Sequence, residues 1–390
     1  AIIALSVGAF ALTRDAMLAL TLLVIGCPGA LVIGPPVSIV SAIGNAARKG
    51  VLMKGGEHLE RAGTIDLVAF DKTGTLTKGE TRVADVAGFE TRDDEVLKLA
   101  ATAEKQSEHH LAAAILDAAR ETGDAVATDG GVAAARPRSE ASIPDPNDFE
   151  VVPGRGVVAH HEGREIVVGN ETLLAGREIV IPQEASDYVR QRENKGETPV
   201  YVALDGTVIG AVSLRDELRE AAPGVVEALQ AAGVEAVMLT GDNERTARAV
   251  AEEVGIDDYR AELLPEDKQA VIEDLRENHT VAMVGDGIND APSLATADVG
   301  IAMGTAGTDT AIETADIALM ADDLDRIPYA IGLSKATRAN IKQNVGLAVL
   351  TVGLLLAGVL GSVVHLAGGM LVHEGSVLLV IANGMRLLRY

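Results

Sequence analysis

The chain of 390 residues has only one cysteine, no tryptophan, and 2% aromatic residues. A single cysteine excludes an internal disulfide, and it excludes a zinc site of four cysteines or of two cysteines with two histidines. Basic residues are also scarce, with 33 Lys and Arg against 57 Asp and Glu, so the net charge is −24. This acidity argues against nucleic acid as a partner. An acidic, lysine-poor surface suits a protein from a salt-rich, halophilic setting.

Apolar residues nevertheless make up 48% of the chain, and their longest runs lie outside the acidic stretch 57–330. The stretches 16–47, 343–364 and 370–388 carry few charges, and a helix needs roughly 20 apolar residues to span a bilayer. Residues 1–12 are typical of the end of an earlier span. The sequence therefore predicts an integral, multi-pass membrane protein.

Basic residues border one end of each span, and the positive-inside rule makes these ends cytoplasmic. They are Arg48, Lys49, Lys54, Lys335, Arg338, Lys342, Arg386 and Arg389. The block between the first two spans is then one large cytoplasmic insertion in a protein of the cell (plasma) membrane, which we expect to be monomeric. Because the chain begins without Met or a signal peptide, we also expect it to be the C-terminal part of a longer protein.

The insertion alternates short hydrophobic runs with helical ones. The runs 65–71, 235–242 and 280–287 each have the pattern of a buried strand that leads to an aspartate. Strands alternating with helices predict an α/β fold with a doubly wound parallel sheet, and the aspartates mark the edge where such sheets bind ligands. Between 81 and 205 the pattern changes to helices and antiparallel strands. We therefore predict an α+β domain at 81–205, inserted into an α/β domain formed by 48–80 and 206–335.

The segment DKTGTLT at 71–77 carries the sharpest chemical signal. Asp71 ends a hydrophobic strand, and a carboxylate there can attack a phosphoryl group and form an acyl phosphate. Asp286 and Asp290, in GDGINDAP, can hold Mg2+ beside it through oxygen ligands. Lys268 can meet the same phosphate as a point charge. A hydroxyl and backbone N–H groups can bind the other phosphoryl oxygens; their residues are Thr240, Gly241 and Asp242.

The residue at position 73 distinguishes two types of reaction. Many phosphatases with such a cleft carry a second aspartate two residues after the nucleophile, as general acid and base. Here that position is Thr73, so water attacks slowly and the acyl phosphate can persist. A persistent phosphoenzyme suits an energy transducer rather than a hydrolase.

With these residues the chain resembles the P-type ATPases. The resemblance rests on four motifs in the family's order between membrane spans: DKTGTLT (71–77), TGDN (240–243), PEDK (265–268) and GDGINDAP (285–292). It implies a haloacid dehalogenase-like (HAD-like) phosphorylation domain in which ATP phosphorylates Asp71. It also implies that the backbone carbonyl of Thr73 helps to bind Mg2+, and that 81–205 is the nucleotide-binding domain.

Within the inserted domain, EKQSEHHLA (104–112) is similar to the nucleotide motif of the heavy-metal subfamily, although His110 stands where that motif has proline. The resemblance places His109 near the adenine, with Glu104 as the accompanying acid. A pair of glycines lets the backbone approach the nucleotide; the matching residues are Gly154 and Gly156. The resemblance also implies that Lys72, Thr73 and Asn289 contact ATP or its Mg2+.

The only cysteine, Cys27, precedes a helix-breaking proline in the first span. Pro28 frees backbone carbonyls, and irregular backbone at membrane depth occurs where it is buried in protein or lines a cavity. The last span contains His373 and Glu374, and ionisable groups inside a membrane are costly and usually functional. Thiolate, imidazole and carboxylate ligands together suit divalent ions such as Zn2+. The alternatives are that Cys27 is a small buried hydrophobe and that His373 and Glu374 lie in an outer loop.

The Cys-Pro step and the His-Glu-Gly sequence resemble the heavy-metal-transporting (type IB) subfamily, which implies ATP-driven export of a transition metal. The match to each branch is partial. Copper exporters carry Cys-Pro-Cys where this chain has Gly29, the cobalt branch has Ser before the proline, and the zinc and cadmium branch has Asp in the last span. We expect Zn2+, Cd2+ or Co2+ as the cargo.

Other functions stay open at this point. They are a Cu+ exporter of the same family, a soluble HAD-like phosphohydrolase, and an ATPase-like metal sensor that does not pump. A K+ or Ca2+ pump is disfavoured by the Cys-Pro step. A full pump also needs an actuator domain with a Thr-Gly-Glu loop and earlier membrane spans, and neither is found in these 390 residues. We therefore assign transport to the longer parent protein.

Overall fold

The computed structural model describes residues 2–107, 110–126, 143–287, 290–304, 313–321 and 323–390. The chain divides into two compact units. The first unit consists of Ala1–Val68, Ala231–Glu235 and Ile272–Tyr390, and the second of Ala69–Gln230 and Ala236–Val271. The second unit is therefore formed mainly by one long excursion of the chain.

Helices and strands alternate along the described part of the chain. Its helices are α1 (Ile2–Thr13), α2 (Ala16–Ile25), α3 (Gly29–Arg48), α4 (Gly56–Ala62), α5 (Asp93–Glu104), α6 (His110–Val126), α7 (Glu171–Gly176), α8 (Gln183–Glu193), α9 (Ala222–Ala231), α10 (Glu244–Val254), α11 (Pro265–Leu275), α12 (Ala291–Thr296), α13 (Arg326–Leu360) and α14 (Leu366–Met385). Its strands are β1 (Val51–Met53), β2 (Leu67–Asp71), β3 (Thr77–Gly88), β4 (Asp148–Val152), β5 (Gly156–His161), β6 (Arg164–Gly169), β7 (Thr198–Leu204), β8 (Thr207–Leu218), β9 (Glu235–Leu239), β10 (Asp258–Arg260), β11 (Val281–Gly285), β12 (Val299–Met303) and β13 (Ile317–Leu319).

Three helical stretches among the described residues are long and apolar enough to cross a membrane: Ala16–Arg48, Arg326–Leu360 and Leu366–Arg389. They overlap the three stretches 16–47, 343–364 and 370–388 that the sequence suggested, with different bounds for the last two. Helix α1 is a shorter apolar helix at the place where the end of an earlier span was expected. The last stretch begins before the expected residue 370 and ends in a 3-10 turn, Arg386–Arg389.

The first of these stretches consists of two helices, because the chain breaks around Cys27 and Pro28. Pro28 has no N–H to donate, and its ring hinders continuation of the preceding helix. Helix α3 starts afresh at Gly29 and contains Pro35 and Pro36 without ending at them. The cysteine therefore lies at a gap between two helices, as its neighbouring proline suggested.

The second stretch differs from the sequence-based boundaries at its start. Helix α13 runs unbroken for 35 residues from Arg326, whereas the sequence suggested a domain that ends at 335 and a span that begins at 343. Its proline, Pro328, lies in the first turn, where a missing N–H removes no intrahelical hydrogen bond. The polar first part and the apolar second part of α13 are therefore one continuous element.

A buried polar network joins three helices of the first unit. Ser38 of α3 donates to Oδ1 of Asn340 on α13 at 2.8 Å, and Asn344 donates to the same oxygen at 3.0 Å. Asn383 of α14 donates to Oδ1 of Asn344 at 2.8 Å, and Asn340 donates to the Asn383 carbonyl at 3.0 Å. Polar side chains within an apolar bundle must satisfy one another, so this network ties the three helices together.

The remainder of the first unit contains the strands in the order β1-β13-β12-β11. Strands β11, β12 and β13 are parallel, and the short β1 pairs antiparallel with β13. All residues of β11 and β12 are buried, as is typical of strands covered on both faces. The parallel strands and their helices confirm the predicted α/β fold.

The second unit contains a parallel pair and a separate antiparallel sheet. The pair consists of β9 and β10, and β2 is the other neighbour of β9. The antiparallel sheet has the strand order β3-β8-β7-β6-β5-β4. Helices α5 and α6 contribute to one apolar cluster on this sheet, and α7 and α8 to another. This α+β arrangement agrees with the predicted inserted domain.

The limits of the antiparallel sheet lie outside the range 81–205 that the sequence suggested. Strand β3 already begins at Thr77, and β8 continues to Leu218, where the two ends pair with each other. The expected limit at 205 falls in the tight turn between β7 and β8, which are hydrogen-bonded neighbours. A turn signal inside a hairpin was thus mistaken for a domain boundary.

Candidate active site

Asp71 lies at the carboxyl end of β2, a strand in which every residue is buried. Lys268, in the first turns of α11, places its Nζ atom 2.5 Å from Oδ1 of Asp71. Both side chains are buried, so their charges are shielded little by water. The structure thus brings together the two residues that the sequence assigned to the nucleophile and to the phosphate-binding charge.

A second buried ion pair lies beside the first. Lys72 contacts Oδ2 of Asp242 at 2.5 Å. Burial opposes the charged form of both groups, but their mutual attraction outweighs it: the pKa of Lys72 is raised and the pKa of Asp242 is lowered. Thr240 adds a hydrogen bond to the carboxylate at 3.2 Å and accepts the N–H of Asp242 at 3.1 Å. Both side chains are therefore held in their charged forms at neutral pH.

The loop after Asp71, residues 72–76, is held by its own backbone and by two side chains from β8 and the residue after it. Gly74 takes a positive φ of 73°, which favours glycine. Thr77 accepts the N–H of Gly74 at 3.0 Å and lies 2.5 Å from Oδ2 of Asp216. Arg219 donates to three carbonyls of the loop; they belong to Gly74 (3.1 Å), Thr75 (2.9 Å) and Thr77 (3.0 Å).

Sequence analysis did not find Asp216 and Arg219. Both lie where β8 changes from a run of buried residues to alternating exposure, in the segment LRDELRE. Charged residues at the end of a strand are commonplace, so composition alone does not mark them. Only the tertiary structure shows that Arg219 satisfies the carbonyls of a loop more than 140 positions away in sequence.

We expect Arg219→Ala to slow phosphorylation of Asp71 at least about tenfold, because three loop carbonyls lose a charged donor and the backbone can rearrange. The rate of phosphoenzyme formation in the complete parent pump would be measured. Arg215→Ala is the matched control: Arg215 lies on β8 shortly before Arg219, and loss of its exposed ion pair with Glu253 at 3.6 Å should slow the reaction less than about twofold. Equal rates for the two variants would contradict the role of Arg219.

Asp286 and Asp290 belong to the first unit, in which Asp286 directly follows β11. Asp290 is buried, and its carboxylate lies against the backbone of Gly285, where an added Cβ would meet Oδ2 at 3.0 Å. A side chain at Gly285 would therefore crowd the Asp290 carboxylate. The predicted ATP contact Asn289 lies outside the described residues.

Three of the predicted nucleotide residues, Glu104, Gly154 and Gly156, lie in the part of the second unit that forms the antiparallel sheet and its helices. Glu104 ends α5 and is buried, and this burial raises its pKa even though Ser107 hydrogen-bonds to it. Gly154 lies in the turn between β4 and β5, and Gly156 is the first residue of β5; both have positive φ, and a side chain at Gly156 would collide with the Val168 carbonyl. The glycines thus keep backbone exposed at this turn. His109 lies outside the described residues.

The three predicted ligands of the cargo ion differ in burial. His373 of α14 is buried, and its Nδ1 atom has no hydrogen-bond partner among the described residues. Its Nε2 atom lies 3.6 Å from the position that a Cβ on Gly29 would occupy, which puts the imidazole beside the break between α2 and α3. Cys27 and Glu374 are both exposed on the first unit.

An apolar cavity of about 290 Å³ lies at the same break. Its lining residues include Gly26, Pro28, Leu31, Ala348 and Val352. In the part of the chain that the structure describes, no three His, Cys, Asp or Glu side chains are arranged to hold a metal ion. The predicted ligands of the cargo ion, Cys27, His373 and Glu374, therefore do not form such a group.

Comparison with known proteins identifies the family. A model of haloacid dehalogenase-like hydrolases matches residues 65–298, which is more than half of the chain. The chain is 30% identical to the catalytic domain of the CPx-ATPase CopB-B, with a TM-score of 0.54. The match covers 73% of this chain and 96% of that chain. The chain therefore belongs to the P-type ATPases of the HAD-like hydrolases.

The similarity extends through the membrane helices. A zinc-transporting PIB-type ATPase in its E2.Pi state is 38% identical, with a TM-score of 0.74, and the match covers 99% of this chain and 62% of that chain. The manganese-exporting P-type ATPase of Mycobacterium bovis is 42% identical over 388 residues, 98% of this chain and 51% of the relative. The chain thus spans about half the length of the curated relatives it matches.

Proposed function

We propose that this chain supplies the phosphorylation site, the nucleotide-binding domain and three membrane spans of an ATP-driven exporter of divalent transition-metal ions. The observation that carries the proposal is the buried ion pair of Asp71 and Lys268 at the end of β2. The assignment of Asp71 as nucleophile agrees with Thr73, which leaves the loop without the general acid that rapid hydrolysis needs.

The proposed chemical step is transfer of the terminal phosphoryl group of ATP to Asp71. A carboxylate oxygen of Asp71 forms a bond to the γ-phosphorus, the bond to the β-phosphate oxygen breaks, and ADP leaves. Lys268 offsets the charge that gathers on the phosphoryl oxygens. The hydroxyl of Thr240 and the backbone N–H groups of Gly241 and Asp242 are the further donors.

Magnesium fits the chemistry of the oxygen donors near the motifs. The residues we propose to hold it are Asp71, Thr73 through its carbonyl, Asp286 and Asp290. Carboxylate and carbonyl oxygens are the ligands that Mg2+ prefers, usually with several waters. When bound, the ion neutralises charge on the phosphates. We propose that ATP itself is bound by the inserted domain, through Glu104, His109, Gly154 and Gly156, with Lys72, Thr73 and Asn289 nearer the phosphates.

For the cargo ion we propose His373, Cys27 and Glu374 as ligands. His373 is the best supported, because a buried imidazole nitrogen without a partner is costly in an apolar bundle unless something binds it. One thiolate with nitrogen and oxygen ligands suits Zn2+, Cd2+ or Co2+ better than Cu+. A similar protein is named for manganese export, and Mn2+ prefers oxygen ligands, so Mn2+ belongs in the test.

We propose that the parent protein works in the plasma membrane with its central domains in the cytoplasm, as a monomer. The test is the ATPase activity of the complete pump in lipid with Zn2+, Cd2+, Co2+, Mn2+ and Cu+, each at low and high salt. Stimulation by divalent ions is the expected result. Stimulation by Cu+ alone would contradict the cargo assignment. Metal-independent hydrolysis of small phosphate esters would instead favour a phosphohydrolase.

A further inference from the structure

Glu193, the last residue of α8, is a buried carboxylate that is not part of any motif discussed above. Its Oε1 atom accepts a hydrogen bond from Nδ2 of Asn243 at 2.9 Å, and its Oε2 atom lies 2.5 Å from Nε of Arg245. Asn243 directly follows Asp242, the partner of Lys72. One side chain of the inserted domain thus binds both ends of a three-residue stretch next to the phosphorylation loop.

Residues that follow Glu193 in the chain also contact the stretch around Asn243. Thr198 donates to Oδ1 of Asp242 at 3.2 Å, and the hydroxyl of Thr246 donates to the carbonyl of Glu197 at 2.8 Å. Residues 193–198 therefore touch residues 242–246 at four separate points. Asn243 also caps α10, because its Oδ1 atom accepts the N–H groups of two residues; they are Arg245 and Thr246.

The 193–198 segment is itself fixed on the antiparallel sheet. Arg192 lies 2.6 Å from Oε2 of Glu197 and 3.4 Å from Oδ2 of Asp85 on β3. Ser213 of β8 donates to Glu197 at 2.5 Å. The segment therefore transmits the position of the sheet, which carries the predicted nucleotide contacts, to the residues that follow Asp242.

We propose that Glu193 is a positioning residue for phosphoryl transfer. It orients residues 242–246 so that Asp242 can hold Lys72 beside Asp71, and it couples that orientation to the inserted domain. A buried carboxylate is strongly disfavoured without its partners, so the contact is made completely or is lost. The inference rests on the proposed phosphorylation of Asp71, but it concerns a residue outside the motifs that carry that function.

A purely structural role would have different consequences from a positioning role. If Glu193 only stabilises the fold, its removal lowers the unfolding temperature but leaves the rate of the folded pump unchanged. If it positions Asp242, the rate of phosphorylation at saturating ATP falls. The ATP concentration for half-maximal phosphorylation changes little, because the predicted contacts Glu104, Gly154 and Gly156 in the inserted domain are untouched.

The experiment measures the initial rate of phosphoenzyme formation from γ-labelled ATP in the complete pump, with the unfolding temperature recorded in parallel. Glu193→Ala should slow the saturated rate about tenfold, as expected when charged hydrogen bonds are lost from a positioned loop. Glu193→Gln keeps an acceptor for Asn243 and should lose about threefold, since only the ion pair with Arg245 is removed. Glu253→Ala is the control. Glu253 lies on α10, the helix whose start Glu193 contacts, and its removal breaks only an exposed ion pair with Arg215.

A double-mutant cycle distinguishes loss of the Glu193–Arg245 ion pair from a non-specific loss of activity. Arg245→Ala should slow the reaction less than Glu193→Ala, and the double variant should be no slower than Glu193→Ala alone, because both changes break one contact. The positioning role is overturned if the losses simply add, or if Glu193→Ala and Glu253→Ala have equal rates. Absence of phosphoenzyme in the wild-type pump would instead reject the proposed function, and the positioning role with it.

Discussion

Asp71→Asn is expected to abolish the phosphoenzyme: acid-stable, hydroxylamine-labile labelling from γ-labelled ATP should fall by at least about a thousandfold, to background. The amide is not nucleophilic, so no acyl phosphate can form. Its size and its carbonyl oxygen match those of the carboxyl group, so the side chain can still accept a hydrogen bond from Lys268 at the same place. The fold should therefore survive the substitution, and ATP should still bind.

The same exchange at Asp66 is the matched control. Asp66 precedes β2, and its half-exposed carboxylate accepts the N–H of Thr280 at 2.8 Å. An asparagine oxygen can take over that hydrogen bond, so Asp66→Asn should leave labelling at the wild-type level. Label that persists in Asp71→Asn with the same hydroxylamine sensitivity would move the phosphorylation site to another carboxylate.

His373→Ala is expected to remove the metal dependence of ATP hydrolysis in the complete pump. The imidazole is buried beside the helix break, and its Nδ1 atom has no partner among the described residues. Loss of a metal ligand should raise the half-stimulating metal concentration by at least on the order of a hundredfold. ATP binding should be unaffected, because the predicted contacts Glu104, Gly154 and Gly156 lie in the other unit.

His365→Ala is the control for this change. His365 is an exposed histidine directly before the first turn of the same helix, so its removal should leave metal stimulation intact. Cys27→Ala should resemble His373→Ala if the exposed thiol takes part in binding. A pump whose stimulation survives His373→Ala but not Cys27→Ala would show that the imidazole is a packing residue.

Sequence patterns predicted those parts of the molecule that depend on neighbouring residues. Buried strands that lead to aspartates, helices between them and long uncharged stretches follow from periodicity and composition over ten to thirty positions, which is the range that such signals cover. The membrane stretches and the α/β fold were predicted for this reason. Lys268 was expected to reach the same phosphate as Asp71, because both residues belong to recognisable motifs, and the structure places the two side chains in contact.

The bounds of domains and helices were less well predicted, because turn-forming or charged residues also occur inside continuous elements. Glycine and aspartate in the β7–β8 turn look like a domain limit, although the two strands are paired. Charged residues in the first half of α13 suggested that the helix of the membrane span starts only after them, although the helix runs through them without a break. In both cases hydrogen bonds along the backbone, which composition does not reveal, decide where the element ends.

The sequence by itself determined the family and the long apolar helices of this protein and predicted its nucleophile, because each depends on residue types at short spacings. Only the tertiary structure revealed the contacts of Arg219 with the loop after Asp71 and those of Glu193 with Asn243 and Arg245. Only it separated a buried His373 from an exposed Cys27 and Glu374. These features arise from contacts between residues far apart in the chain. Their side chains are ordinary in composition and acquire a role only when folding buries them against a specific partner.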